Sequence, residues 1–166
     1  MVKALLFISP YPANNKTKVS MTNDEQQKMF DILLIEDNPG DVILIKEAFK
    51  EGQTCNNLTV VGDGEAALSF LRKEGAYKKS SCPDLVLLDL NMPRKDGREV
   101  LAEIKTDPVL KHIPVVVLTS SEAQQDIINA YNLQANCYIT KPVDLKQFFN
   151  VVKLIEDFWL KTAKLP

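Results

Sequence analysis

The segment spanning residues 83–97, PDLVLLDLNMPRKDG, most restricts what this chain can fold into. Leu85, Val86, Leu87 and Leu88 run without alternation, the pattern of a strand buried on both faces, as in a parallel sheet. The run delivers one carboxylate, Asp89, at its C-terminal end, and Pro93 and Gly97 then punctuate a loop. Ligands of open α/β sheets sit just beyond the carboxyl ends of the strands, so an acid here stands where chemistry is done.

Four further strands accompany it. The first begins at Asp31 and leads through ILLI to Glu36 and Asp37. Asn38 then reads as a helix N-cap, with Pro39 at the first helical position and Asp41 in the first turn of a helix to about Lys50. Residues 58–61 form a second short strand, and Asp63-Gly64 turns into a helix carrying Ala67, Leu68 and Leu71. A helix over residues 98–106 follows the central strand. Pro114-Val-Val-Val-Leu is a fourth buried strand ending at Thr119, after which Ser121 is expected to cap a helix through Tyr131. Residues 135–139 form the fifth strand, ending at Thr140-Lys141-Pro142, and a last helix runs from about Asp144 to Lys161. Strand and helix alternate five times, which predicts an α/β fold with a doubly wound parallel sheet.

Composition excludes several alternatives. The 166 residues, 45% of them hydrophobic, suffice for one domain with a sizeable core. With 20 basic and 22 acidic residues the net charge is −2, and without a strongly basic stretch no nucleic-acid partner is expected. Cys55, Cys82 and Cys137 are odd in number and widely spaced, which fits reduced thiols in a cytoplasmic protein. His112, the only histidine, cannot build a metal site alone. The apolar run at residues 4–8 is too short for a signal peptide, and no stretch approaches the roughly 20 apolar residues of a membrane span. Residues 1–30 read as a flexible extension, with Met21 an alternative start, residues 31–161 as the domain, and residues 162–166 as a tail.

The strand ends alone present Glu36 and Asp37, Asp89, Thr119 and Lys141, all expected on one edge of the sheet. Each has a plainer reading: acids at a helix start, a threonine cap, a solvated loop lysine. Together they describe one reaction. Three carboxylates in one crevice repel each other unless a cation neutralises them, and Mg²⁺ prefers octahedral oxygen ligands at about 2.1 Å. A Mg²⁺ held by Asp37 and Asp89 leaves one Asp89 oxygen free to attack phosphorus, while Thr119 and Lys141 offer a hydroxyl and a positive charge to the phosphoryl oxygens.

In order and spacing, the acidic pair ED, the LLDLNMP segment, the LTSS strand end and the YITKP segment resemble a response-regulator receiver domain of two-component signalling. The resemblance implies a flavodoxin-like strand order 2-1-3-4-5 and a signalling protein rather than an enzyme. It implies that Asp89 is the phosphoacceptor and that Glu36, Asp37, Asp89 and the Asn91 carbonyl organise Mg²⁺. Thr119 is then the switch hydroxyl, Tyr138 the switch aromatic and Lys141 the phosphate-contacting cation. From the residues alone, Tyr138 could equally be an ordinary half-buried strand aromatic. Glu36 departs mildly from the family, where many relatives carry Asp. The segments EDNPGDV, DGREVLAEIK, NCYITKPVDL and IEDFWL further resemble the small phytochrome response regulators of photosynthetic bacteria, implying a phytochrome histidine kinase as partner. With no output domain after Pro166, the signal is expected to leave by protein contact.

Two other readings compete. Phosphohydrolases of the haloacid dehalogenase type also use an Asp nucleophile and Mg²⁺, but place a second Asp where this chain has Asn91. A phosphorylation-independent interaction domain would not need the complete set of site residues. Finally, Leu145, Phe149, Val152, Ile155 and Trp159 follow helical spacing and can cover the sheet. Val151, Leu154 and Phe158 form a second apolar stripe, expected to mediate a homodimer.

Overall fold

The computed structural model describes residues 28–166. All but the last three residues of the expected N-terminal extension therefore lie outside the described residues. Of those three, Phe30 already belongs to the sheet: its N–H bonds the Cys55 carbonyl at 3.0 Å. The domain thus starts at or before Phe30.

Five parallel strands, β1 (Phe30–Ile35), β2 (Asn56–Val61), β3 (Leu85–Leu88), β4 (Val115–Thr119) and β5 (Cys137–Thr140), lie in the order β2-β1-β3-β4-β5. Five helices connect and follow them: α1 (Pro39–Glu51), α2 (Gly64–Leu71), α3 (Gly97–Thr106), α4 (Gln124–Asn132) and α5 (Leu145–Ile155). Strands β1, β3 and β4 are the sheet's interior, and their apolar runs divide by parity between two cores. Leu33, Ile35, Val86, Leu88, Val115 and Val117 face α2, α3 and α4. Ile32, Leu34, Leu85, Leu87, Val116 and Leu118 face α1 and α5. Both faces being covered explains why these strands show no polar alternation.

Local signals fixed most helix starts. Asn38 Oδ1 accepts from the N–H groups of Gly40 and Asp41, and Asp63 accepts from Ala66. Asp96 and Glu99 form a reciprocal capping box on α3. Ser121, by contrast, does not cap α4, which begins after Ala123 with no side-chain cap. Its hydroxyl instead donates to Asp126 at 2.5 Å. Strand β2 starts two residues before the expected point, and β5 is displaced toward Thr140.

The last helix differs more. After Ile155 the backbone widens into a π-helical segment, Glu156–Thr162. Its first residue is tied to the loop after α1: the Glu156 carboxylate is buried and accepts from Gln53 N–H at 2.9 Å, Thr54 N–H at 2.8 Å and Thr54 Oγ1 at 2.6 Å. Gly52 makes room, since a Cβ there would overlap that carboxylate. The apolar residues that α5 and the π segment bury are Phe148, Val152, Ile155 and Leu160, whereas Leu145 is exposed. Phe149 and Trp159 pack at the core's edge, and so does Val151, which corrects its expected outward placement. Leu154 and Phe158 do face outward.

Candidate functional site

Sheet register brings the strand ends to one edge. Ile35 lies beside Leu88, Leu88 beside Val117, and Thr119 beside Thr140. Backbone bonds continue one residue past the strands: Glu36 N–H to Val61 O at 3.0 Å, Asp89 N–H to Ile35 O at 3.0 Å, and Lys141 N–H to Thr119 O at 2.7 Å. The sheet itself therefore aims these three side chains. Beyond Asp89 the loop folds back so tightly that Gly97 N–H bonds the Leu90 carbonyl, and a Cβ on Gly97 would overlap the Asp89 carbonyl.

Lys141 is the hub. Its ammonium donates to Glu36 Oε2 at 2.6 Å, Asp41 Oδ2 at 2.8 Å and Asp89 Oδ2 at 2.9 Å. Glu36 and Asp89 are buried; the other oxygen of Glu36 accepts from Asn38 N–H at 3.0 Å, and that of Asp89 from Asn91 N–H at 3.1 Å. Thr119 is fully buried beside them, its hydroxyl oxygen accepting from Asn91 Nδ2 at 3.4 Å. Asp37 is exposed, yet carboxylate oxygens of Glu36, Asp37 and Asp89 lie within 4.8 Å of one another.

Burial and charge act differently on the three buried ionisable groups. Burial pushes the Glu36 carboxyl above its ordinary value, and its bonds to Lys141 and Asn38 only partly offset this. Burial pushes Asp89 the same way, but hydrogen bonds from Lys141, Thr119 and Asn91 outweigh it and hold Asp89 below the usual carboxylate value. Burial alone would depress Lys141; its bonds to Asp41, Asp89 and Glu36 raise it above an ordinary lysine. Asp89 is thus held next to a positive charge that favours its ionised form.

A donor set of carboxylate oxygens, without nitrogen or sulfur, suits a hard divalent cation, and the three converging oxygens fit one. Glu36, Asp37, Asp89, Thr119 and Lys141 are all brought to this edge. Tyr138 bonds beside them: its hydroxyl donates to the Ser121 carbonyl at 2.9 Å, holding the segment after β4. Two contributions escaped the sequence reading. Asp41, read only as a first-turn acid, reaches Lys141 across 100 residues of chain. Arg98 bonds Asp96 at 2.9 Å and Asp126 at 2.7 Å, so Ser121, Asp126, Arg98 and Asp96 form a continuous chain from β4 to α3. No spacing signal announces either, because Lys141 and Asp126 come from elements distant in sequence.

Comparison with known proteins decides the family: residues 32–153 match the response regulator receiver domain model. The chain belongs to the response-regulator receiver family. The receiver is 50% identical over 144 residues to response regulator Rcp1 of Synechocystis sp., covering 87% of this chain and 98% of that protein. Among solved structures, it resembles the phosphorylated cyanobacterial phytochrome response regulator RcpA with a TM-score of 0.81 and 54% identity, over 84% of this chain and 99% of RcpA. It resembles the Mn²⁺-bound form of Rcp1 with a TM-score of 0.80 and 51% identity, over 82% of this chain and 99% of Rcp1. The bacteriophytochrome response regulator AtBRR aligns at a TM-score of 0.66 and 41% identity, over 83% of this chain and 98% of AtBRR. This receiver is therefore a phytochrome-related response regulator of two-component signalling, a class that works with sensor histidine kinases. Among the described residues no helix is long and apolar enough to cross a membrane.

Proposed function

We propose that Asp89 accepts a phosphoryl group from a phytochrome-linked sensor histidine kinase. The observation that carries this reading is the Lys141 ammonium, 2.9 Å from Asp89 Oδ2 and held by the sheet register at the edge where Glu36, Asp37 and Asp89 converge. An Asp89 oxygen forms the new bond to phosphorus as the bond from phosphorus to the kinase histidine breaks, the electron pair staying on the imidazole. Lys141 shifts onto the incoming phosphoryl oxygens, and Thr119 donates its hydroxyl to another. Glu36, Asp37, Asp89 and the Asn91 carbonyl would hold Mg²⁺, which supplies charge neutralisation for the phosphoryl oxygens when bound.

Thr119 is the switch hydroxyl in this reading. A phosphoryl group adds roughly −1.5 to −2 charge and strong acceptor oxygens, which draw Thr119 toward Asp89. Ser121 N–H lies 3.5 Å from Thr119 Oγ1, so the segment that Tyr138 grips moves with it. The protein is a phosphoacceptor that assists its own phosphorylation and dephosphorylation, rather than an enzyme acting on other substrates, and it works in the cytoplasm. The working domain runs from Phe30 or earlier through the π segment that ends at Thr162, between an N-terminal extension and a short tail.

Output runs through protein contacts, including a homodimer built on the exposed Leu154 and Phe158, with Val151 supporting them from the edge of the core. The kinase assignment is tested by timed phosphotransfer from a panel of autophosphorylated histidine kinases. Transfer from a phytochrome kinase should outpace the others by at least tenfold. Equal or faster transfer from unrelated kinases would overturn the assignment.

A further inference from the structure

The three carboxylates around Lys141 are not equivalent. Glu36 and Asp89 belong also to the oxygen cluster that fits a divalent cation, whereas Asp41 does not. Their exposures differ accordingly: the Glu36 and Asp89 side chains are 1% and 7% exposed, that of Asp41 27%, which puts Asp41 on the rim. Its backbone is fixed there, because the Asn38 cap accepts from Asp41 N–H at 3.3 Å and α1 starts at Pro39.

A divalent cation and an ammonium compete for the same two carboxylates, since each weakens the pull of those oxygens on the other. Occupation of the cluster must therefore move the ammonium toward whichever partner the cluster does not use. Asp41 is that partner. We propose that Asp41 is a positioning residue that retains Lys141 at the rim while a divalent cation takes up Glu36 and Asp89, and that it thereby raises the affinity of the site for the cation. This rests on the reading of Glu36, Asp37 and Asp89 as a cation site. Without Asp41 the ammonium has only cluster carboxylates to pair with, and it contests them with the cation.

A first-turn acid also favours helix α1 through the helix dipole, and any nearby carboxylate attracts a cation directly. Neither of those effects is strengthened by Lys141, which makes a double-mutant cycle decisive. Mn²⁺ binding by the full chain is measured by electron paramagnetic resonance for the wild type, Asp41→Asn, Lys141→Met and the double variant. Thermal melts confirm that each is folded. Asp41→Asn should weaken Mn²⁺ binding at least about fivefold more in the native background than in the Lys141→Met background, the usual lower bound of a coupling between sites. Asp41→Glu should recover part of the loss. Losses that are equal in the two backgrounds, or larger with Lys141→Met, overturn the role of Asp41 and leave the cation site standing. A wild type that binds no Mn²⁺ overturns the cation site as well.

Discussion

Tyr138 donates its hydroxyl to the carbonyl of Ser121 at 2.9 Å, tying β5 to the segment that carries β4 into α4. That segment has no side-chain cap at the start of α4, so the bond anchors it together with the link from Ser121 to Asp126. Tyr138→Phe keeps the ring and removes the anchor. Global stability should fall by about 1 kcal/mol, the usual net worth of such a bond. Amide exchange over residues 121–126 should quicken more than elsewhere. Uniform protection across the domain would show that Tyr138 does not hold this segment.

Gly97 lies against the backbone of Asp89 and Leu90, where an added Cβ would overlap main-chain atoms that cannot turn aside. Gly97→Ala should cost about 1–3 kcal/mol as an overpacking change. It should appear as a lowered urea midpoint with an unchanged slope. Because the displaced atoms belong to Asp89, the phosphorylation rate should fall as well.

Asp89 is held below its ordinary carboxylate value, by Lys141 above all, against a burial that works the other way. A carboxylate with a lowered native value stabilises the fold above its unfolded value near 3.8, and that contribution is lost as pH falls through the native value. In chelator, wild-type stability should therefore drop more steeply below about pH 4 than that of Asp89→Asn. Parallel acid limbs in urea titrations would contradict the geometry around Lys141.

Leu154 and Phe158 are 66% and 54% exposed, and the Phe158 ring stacks edge-on against Trp159 at 5.1 Å. Large apolar side chains grouped on one helix face mark a contact surface. Sedimentation across micromolar concentrations should show a dimer for the wild type and a monomer for Phe158→Asp. A wild type that stays monomeric with and without phosphorylation would remove this interface.

The legible parts of the fold were those set by local chemistry. ILLI, LVLL and VVVL declare doubly buried strands because parallel strands covered on both sides need no polar alternation. Asn38, Asp63 and Asp144 declare helix starts because capping is settled within three residues. Site residues at strand ends were legible for the same reason, since register fixes where a strand end points. The buried place of Glu156 was not, because its partners lie in the loop at Gly52–Thr54, about a hundred residues away. Asp41 was hidden likewise: its local role as a first-turn acid accounts fully for its place in the sequence, while its partner Lys141 comes from the opposite end of the domain. Ser121 looked like a cap and serves instead as a link to Asp126.

In the proposed function the Asp89 carboxylate is the acceptor and the neighbouring acids act through a divalent cation. The most direct measurement is intact-protein mass spectrometry after incubation with a small phosphodonor, for the wild type and Asp89→Asn, each with Mg²⁺ and with EDTA. One phosphoryl group should appear on the wild type with Mg²⁺, and neither on the wild type in EDTA nor on Asp89→Asn in any condition. A phosphoryl group retained by Asp89→Asn would rule out Asp89 as the acceptor, and one added equally well in EDTA would rule out the divalent cation.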